Sequence, residues 1–180
     1  MKKILVVVDM QKDFIDGALG TKEAEAIVSS AADKIRDFSG DIFVTLDTHF
    51  ENYMETSEGK NLPVPHCIKG SEGWMLNKEI KKALDGKDYT LVEKNTFGSV
   101  NLPELIKNAA GNERFSVELI GLCTDICVVS NALIIKANFP EAEISVDADC
   151  CAGVTPAAHN AALTTIHSCQ IKITGGQVNV

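Results

Sequence analysis

Short apolar segments alternate with longer amphipathic ones along the chain, and this alternation is the strongest constraint on its fold. The first apolar segment, Lys3 to Val8, has no polar residue after its lysine, so a strand formed by it would be apolar on both faces. Such strands are typical of parallel sheets covered by helices on both sides. The sequence therefore predicts an α/β fold with three α/β/α layers and a mainly parallel, doubly wound sheet of about six strands. The predicted strands are 3–8, 41–46, 89–93, 117–122, 143–147 and 170–174, and the predicted helices are 23–38, 72–84, 102–109, one from a cap at 124 or 125 to 137, and 156–168.

Length, charge and hydropathy narrow the class of protein. The 180 residues are expected to form a single domain, 1–180, with a full core. No apolar stretch approaches the ~20 residues of a membrane span, and Asp9 interrupts the first apolar run too early for a secretory signal. We therefore expect a cytoplasmic protein with no membrane partner and with its six cysteines reduced. A net charge of −8 without a basic cluster argues against nucleic acid as a partner. We also expect a homo-oligomer.

Cys127 occupies a position suited to a nucleophile. It follows the apolar run that ends at Leu122, with Gly121 available for a sharp turn and Thr124 or Asp125 available to cap a helix. Cys127 would then lie in the first helical turn, where free N–H groups and the helix dipole favour a thiolate. The alternative is that Cys127 is a small core residue.

Charged residues follow the predicted strands at the ends where ligands bind in open parallel sheets. Asp9 ends the first strand, Lys94 follows the third, and Cys127 lies beyond the fourth. A carboxylate can take the thiol proton of a cysteine, and an ammonium group can hold both negative charges in place. Taken singly, Asp9 could cap a turn and Lys94 could be solvated, but their convergence favours catalysis.

A second cluster has the composition of a metal site. Asp47 and His49 alternate along an extended chain and can point the same way, and His66 follows in the long loop 47–71. One carboxylate and two imidazoles suit a divalent transition metal, Zn²⁺ or else Fe²⁺ or Mn²⁺. The alternative is that the two histidines are exposed. We interpret Glu58 as a mobile surface acid and His159 as structural or exposed.

Five segments together resemble a known family, the isochorismatase-like cysteine hydrolases, and within it the nicotinamidase branch most. The resemblance covers nearly the whole chain in the correct order. The segments are Val6-Val-Val-Asp-Met-Gln-Lys-Asp-Phe14, Asp47-Thr-His49, Pro65-His-Cys-Ile-Lys-Gly70, Glu93-Lys-Asn-Thr-Phe97 and Gly121-Leu-Cys-Thr-Asp-Ile-Cys-Val128.

The resemblance implies a role for each matching residue. Asp9 would be the base, Lys94 its charged partner and Cys127 the nucleophile. The metal ligands would be Asp47, His49 and His66. Backbone N–H groups of Cys123 and Cys127 would form the oxyanion hole, beside a cis peptide at Leu122–Cys123. The substrate-binding residues would be Phe14, Leu19, Phe97 and Ile126.

The activity implied by the resemblance is hydrolysis of nicotinamide to nicotinate and ammonia through a thioester, a step of NAD salvage, with a small amide as the substrate. One departure concerns Pro63, which stands where many nicotinamidases have a large aromatic residue. An enzyme alternative is a related cysteine hydrolase acting on another small amide or a ureido compound. A non-enzyme alternative is a catalytically silent binding module, although no glycine-rich phosphate loop follows the first strand.

Overall fold

A six-stranded parallel sheet forms the centre of the protein, as the computed structural model, which describes residues 1–176, shows. The strand order is β3-β2-β1-β4-β5-β6, and helices lie on both sides of the sheet. The predicted three-layer α/β/α architecture is therefore confirmed. The strands are β1 (Lys2–Val8), β2 (Asp41–Asp47), β3 (Tyr89–Lys94), β4 (Phe115–Leu122), β5 (Glu143–Ala152) and β6 (Lys172–Thr174).

Two hydrophobic cores lie on opposite faces of the sheet, because successive side chains of β1 point to opposite sides. Val6 and Val8 face one core, and Leu5 and Val7 face the other. The helices are α1 (Lys12–Ile15), α2 (Lys22–Ala26), α3 (Val28–Asp37), α4 (Ser57–Asn61), α5 (Lys78–Ala83), α6 (Leu102–Ala110), α7 (Val129–Asn138) and α8 (Pro156–Ser168), with a 3₁₀-helix at Tyr53–Glu55 and a π-helix at Thr124–Val128. The core at Val6 is closed by α6, α7 and α8, and the core at Leu5 by α1, α2, α3 and α5.

The first two predicted helices differ from the structure. The helix predicted at 23–38 is divided into α2 and α3 at Ile27, and it begins one residue earlier because the Thr21 hydroxyl accepts a hydrogen bond from the N–H of Ala24. The helix predicted at 72–84 is formed only over α5. The backbone before α5 pairs instead with residues 10–13, where Lys12 donates to Met75 O and Asn77 donates to Met10 O.

The long loop 47–71 contains structure that the sequence did not reveal. Its two short helical segments are the 3₁₀-helix and α4, and the Thr56 hydroxyl caps α4 by accepting from Gly59 N. A bridge between His49 and Ile68 then returns the chain to the end of β2. The loop therefore folds back over the carboxyl edge of the sheet.

The sheet reverses its strand order between β1 and β4, which lie side by side in register from Lys2–Phe115 to Val8–Gly121. In open α/β sheets the crevice at this reversal, beyond the carboxyl ends of the strands, is where ligands bind. Asp9 follows β1 directly and Cys127 lies just beyond β4, so the fold brings both to this crevice. None of the helices formed within residues 1–176 has the length and apolar character needed to cross a membrane.

Candidate active site

Asp9 is fully buried at the end of β1 and has a left-handed backbone conformation, with φ of 48°. The Thr45 hydroxyl donates a 2.6 Å hydrogen bond to Asp9 Oδ1, and the backbone N–H of Asp9 donates to the carbonyl of Thr45 at 3.2 Å. The neighbouring strand β2 thus fixes both the backbone and the carboxylate of Asp9.

Lys94 is the last residue of β3, and its buried side chain reaches across β2 to the crevice. Its Nζ lies 2.6 Å from Asp9 Oδ2 and 3.5 Å from Cys127 Sγ. Burial alone would disfavour the ammonium charge, but Asp9 and the other nearby acidic groups outweigh it and raise the pKa of Lys94. The three residues predicted to be catalytic are therefore brought together around one cationic atom.

Cys127 lies in the π-helix that precedes α7. This π-helix begins immediately after Cys123, whose peptide bond to Leu122 is cis. The predicted cap is wrong: neither Thr124 nor Asp125 caps this helix with its side chain. The Thr124 hydroxyl is instead hydrogen-bonded to His159 Nδ1 of α8 at 2.8 Å, and Asp125 accepts from a backbone N–H of the β5–α8 loop. The side chains expected to cap the turn therefore tie it to the neighbouring helix and loop.

The protonation of Cys127 differs from that of a thiol at an open helix end. Cys127 is only 5% exposed, and burial together with the negative charge of Asp9 raises the pKa of its thiol well above the ordinary value, although Lys94 opposes this. Burial likewise raises the pKa of Asp9, with Lys94 opposing the shift. The raised pKa of Cys127 favours the neutral thiol over the thiolate that the helix position predicted, and the raised pKa of Asp9 makes its carboxylate a stronger base.

Four potential metal-ligating side chains converge next to this group: Asp47, His49, His66 and Glu58, with one ligand atom of each lying within 4.8 Å of the others. His66 Nε2 lies 3.6 Å from Asp47 Oδ2 and 3.6 Å from Glu58 Oε1. These separations are close to the roughly 3.4 Å expected between ligands held at ~2.1 Å around a tetrahedral ion. The arrangement confirms that the residues predicted as ligands meet.

Two further observations fit a bound cation. His66 Nδ1 lies 2.8 Å from the carbonyl of Val64, which fixes the proton on Nδ1 and leaves the Nε2 lone pair facing Glu58. His49 Nε2 is buried and has no hydrogen-bond partner among residues 1–176. The donor set and this orphaned nitrogen fit a divalent transition metal.

Glu58 is placed differently from the prediction. It was expected to be a mobile surface acid, but its side chain is 21% exposed and its Oε1 lies 3.6 Å from His49 Nε2. The cap at Thr56 begins α4 just before Glu58, whose Oε1 also lies 3.6 Å from His66 Nε2. The sequence around Glu58 indicated the cap of a helix but not the direction of its side chain, because that direction depends on the course of the whole loop.

Comparison with known proteins identifies the family. The model of the Isochorismatase domain matches residues 3–177. The chain belongs to the isochorismatase family. It is 30% identical over 145 residues to an uncharacterized isochorismatase family protein, PncA of Bacillus subtilis (strain 168), covering 74% of this chain and 78% of that protein.

Solved structures of family members share the fold over nearly their whole length. The nicotinamidase/pyrazinamidase PncA of Bacillus subtilis superposes with a TM-score of 0.81 at 25% identity, covering 97% of this chain and 100% of that one. The N-carbamoylsarcosine amidase of Thermoplasma acidophilum gives a TM-score of 0.76 at 26% identity, covering 97% and 96%. The protein is thus an isochorismatase-family cysteine hydrolase.

Two buried residues that sequence reasoning missed, Gln11 and Tyr53, contact the side chains or backbone of the residues that could bind a metal. The Gln11 side chain accepts from Asp47 N at 2.7 Å and donates to Asp47 O at 2.9 Å, so it fixes the backbone of that residue on both sides. The ring of Tyr53 packs edge-on against His49 and His66, with centroid distances of 4.8 and 5.1 Å, and its hydroxyl donates to Leu62 O. Gln11 lies only two residues after Asp9, and this proximity was the feature of the sequence that could have indicated its place in the site.

The residues predicted to bind substrate have different degrees of burial. The buried ring of Phe14 meets His66 edge-on at 5.4 Å, while Phe97 is 48% exposed. Leu19 packs partly buried against the core at Leu5, and Ile126 against the core at Val6. Pro63 is exposed. Phe14 therefore contacts the candidate metal group directly, whereas Phe97 leaves half of its surface open.

Proposed function

We propose that this protein hydrolyses nicotinamide to nicotinate and ammonia, with Cys127 as nucleophile, Asp9 as base and Lys94 as their charged partner. The observation that carries the proposal is the shared cation: Lys94 Nζ contacts Asp9, Cys127 and Asp47, so the nucleophile group adjoins a four-residue metal group. A thiol and a base support amide hydrolysis, and a neighbouring metal group supports a substrate with a second polar anchor point.

Acylation begins when the proton of the Cys127 thiol passes to the Asp9 carboxylate and Sγ bonds to the amide carbon. The negative charge moves to the amide oxygen, where the N–H groups of Cys123 and Cys127 would stabilise it. The carbon–nitrogen bond then breaks, and Asp9 returns the proton to the departing nitrogen, which leaves as ammonia. The raised pKa of Asp9 suits it to both transfers, because a stronger base accepts the thiol proton more readily.

Deacylation uses the same carboxylate. A water molecule gives one proton to Asp9 and bonds to the thioester carbon. The carbon–sulfur bond then breaks, and the proton on Asp9 restores the thiol of Cys127. The product leaves as the carboxylic acid, which keeps the second proton of the water and loses it to solvent to become nicotinate. The charge of Lys94 stabilises the ionised form of Asp9, because a buried carboxylate without a nearby cation would remain protonated. Asp9 can therefore accept and release a proton in each half of the reaction.

The metal would be held by Asp47, His49, His66 and Glu58, and Zn²⁺ fits this nitrogen and oxygen set, with Fe²⁺ or Mn²⁺ as alternatives. When bound there, such an ion offers a Lewis-acidic position to a nitrogen or oxygen lone pair. Phe14, Leu19, Phe97 and Ile126 are proposed to surround the ring of the substrate.

The protein groups of the site favour a neutral amide over a ureido acid. Asp9, Asp47 and Glu58 are acidic, and the ammonium of Lys94 is already engaged by two carboxylates. A substrate carboxylate would therefore find no free cationic side chain in this cluster and would have to pair with the bound metal, whereas a neutral amide needs no such partner. The fold similarity to an N-carbamoylsarcosine amidase keeps hydrolysis of a ureido compound as the second candidate. A cytoplasmic location, a homo-oligomeric state and a place in NAD salvage remain predictions.

The test is ammonia release by the purified, metal-loaded protein from four substrates. Nicotinamide and pyrazinamide should be cleaved, because each has a ring nitrogen meta to the carboxamide. Benzamide, which lacks that nitrogen, should be much poorer, since a site built around a polar contact discriminates strongly against an analogue without it. Equal rates on benzamide and nicotinamide would refute the ring-nitrogen anchor. Activity on N-carbamoylsarcosine with none on any aromatic carboxamide would establish the second candidate instead.

A further inference from the structure

Asn131 is a fully buried polar residue in α7, one helical turn after Cys127. Its Nδ2 donates to the carbonyl of Cys127 at 2.8 Å, and its Oδ1 accepts from the backbone N–H of Ser99 at 2.9 Å. The same Nδ2 lies 3.4 Å from the carbonyl of Phe97. One side chain therefore joins the residue proposed as nucleophile to the loop that carries Phe97.

The chemistry of these contacts requires an amide. Asn131 acts as donor toward one segment and acceptor toward the other, whereas aspartate offers no donor and leucine offers neither. The hydrogen bonds to Cys127 and Ser99 are buried, so loss of the Asn131 side chain removes a partner from backbone groups that lie inside the protein. Asn131 is thus matched to both segments at once.

The loop that Asn131 holds lies directly on α7. A Cβ atom at Gly98 would stand 3.2 Å from the carbonyl carbon of Ser130 and 2.5 Å from Cδ1 of Ile134. Real Cβ contacts are rarely that short, so glycine permits the close approach at this position. The position of Phe97 is therefore set by contact with the helix that continues from Cys127.

We propose that Asn131 is a positioning residue that fixes the separation between the Cys127 nucleophile and the pocket wall at Phe97. Through the Cys127 carbonyl it holds the backbone from which Sγ reaches Asp9 and Lys94. Through Ser99 it holds the loop over the substrate. The proposal rests on the proposed function for its kinetic part, whereas the accessibility of the Cys127 thiol can be measured whatever the substrate is.

The experiment compares Asn131→Leu with Ser130→Ala. Ser130 is a matched control, because its hydroxyl makes the same kind of local bond, donating to the carbonyl of Ile126 four residues earlier, and Ser130→Ala keeps the Cβ atom that lies beside Gly98 of the loop. The readouts are kcat and KM for nicotinamide, and labelling of each cysteine by iodoacetamide resolved by mass spectrometry. Asn131→Leu should lower kcat at least tenfold, raise KM and increase labelling of Cys127 several-fold. Ser130→Ala should stay within about twofold of the unaltered protein, because it leaves both hydrogen bonds of Asn131 in place.

The labelling pattern separates positioning from general loss of structure. If Asn131 only stabilises the fold, Asn131→Leu should label the buried Cys67 and Cys150 as strongly as Cys127, and that result would overturn the proposal. Kinetic constants and Cys127 labelling equal to those of Ser130→Ala would overturn it as well. If the unaltered protein does not cleave nicotinamide, the proposed function fails, while the labelling comparison still decides the role of Asn131.

A second variant covers the case in which Asn131→Leu does not fold. Gly98→Ala pushes the loop away from α7 while leaving Asn131 in place. It should raise KM and Cys127 labelling in the same direction as Asn131→Leu. Unchanged KM and unchanged labelling in Gly98→Ala would show that the separation of loop and nucleophile does not depend on this packing, and would overturn the proposal.

Discussion

Lys94 and Asp47 join the two halves of the site: Nζ of Lys94 lies 3.2 Å from Oδ1 of Asp47, whose other oxygen lies 2.9 Å from Nε2 of His49. Burial opposes the charge on Asp47, but the neighbouring imidazoles of His49 and His66 and the charge of Lys94 outweigh it and hold its pKa well below the usual range. One carboxylate thus serves both the metal group and the cation that contacts Cys127.

Lys94→Ala is expected to lose stability as well as activity, because it leaves Asp9 and Asp47 without their buried cation. Removing one partner of a buried ion pair costs about 3–5 kcal/mol, since the remaining charge is uncompensated. Denaturant unfolding should therefore show a large fall in the free energy of unfolding of Lys94→Ala. Cys127→Ala provides the comparison, because it removes one sulfur atom and no charge. Equal unfolding free energies for the two variants would contradict this role of Lys94.

The assignment of the nucleophile predicts a difference among the cysteines. Cys127→Ala should abolish amide hydrolysis, while Cys67→Ala, Cys150→Ala and Cys169→Ala should keep it. Cys67 and Cys150 pack into the core at Leu5, and Cys169 follows the last residue of α8, whereas Cys127 is the thiol that Lys94 Nζ approaches at 3.5 Å. Steady-state assays of the four variants with the same substrate provide the check, and comparable turnover by Cys127→Ala would exclude a thioester mechanism.

Asp9→Asn is expected to separate ionisation of the thiol from turnover. Burial and then the charge of Asp9 raise the pKa of Cys127, while Lys94 lowers it. Replacing the carboxylate by a neutral amide removes the second cause, so the midpoint of Cys127 alkylation should move to lower pH. Turnover should nevertheless fall by several orders of magnitude, because no base remains to carry protons, and members of one catalytic unit act together. A pH profile of iodoacetamide labelling measures the midpoint, and an upward shift would argue against this charge arrangement.

The sequence predicted the sheet and the meeting of Asp9, Lys94 and Cys127 for a common reason. Parallel strands bring their carboxyl ends to one edge, so residues far apart in the chain can be placed together without knowing any side-chain contact. The prediction of a helix at 72–84 was wrong for its first half, because that segment pairs with residues 10–13. Hydrophobic periodicity does not report such a tertiary contact. Tyr53 and Asn131 were missed for the same reason, since their importance lies in contacts between segments.

Glu58 allows a test of the fourth metal ligand with a matched control. The unaltered protein should bind about one divalent transition metal per chain, as expected of a four-ligand site. Glu58→Gln keeps the shape but removes the negative charge, so its metal affinity should fall at least tenfold. Glu55→Gln makes the same change at an exposed position of the adjacent 3₁₀-helix and should not alter the affinity. Competition with a chelator gives both affinities, and equal values would remove Glu58 from the site.

Phe97→Ala should raise KM for nicotinamide without lowering the melting temperature. Phe97 is 48% exposed, so its truncation removes little core packing, whereas a ring bound against it would lose an aromatic contact worth about 0.5–1.5 kcal/mol beyond burial. That range corresponds to a rise in KM of roughly two- to twelvefold if binding alone is affected. Tyr89→Ala is the control, because Tyr89 is a similarly exposed aromatic residue at the opposite, amino end of β3 and should leave KM unchanged. A KM for Phe97→Ala equal to that of the Tyr89 variant would place Phe97 outside the substrate pocket and would leave Phe14, which packs against His66, as the aromatic residue proposed to contact the ring.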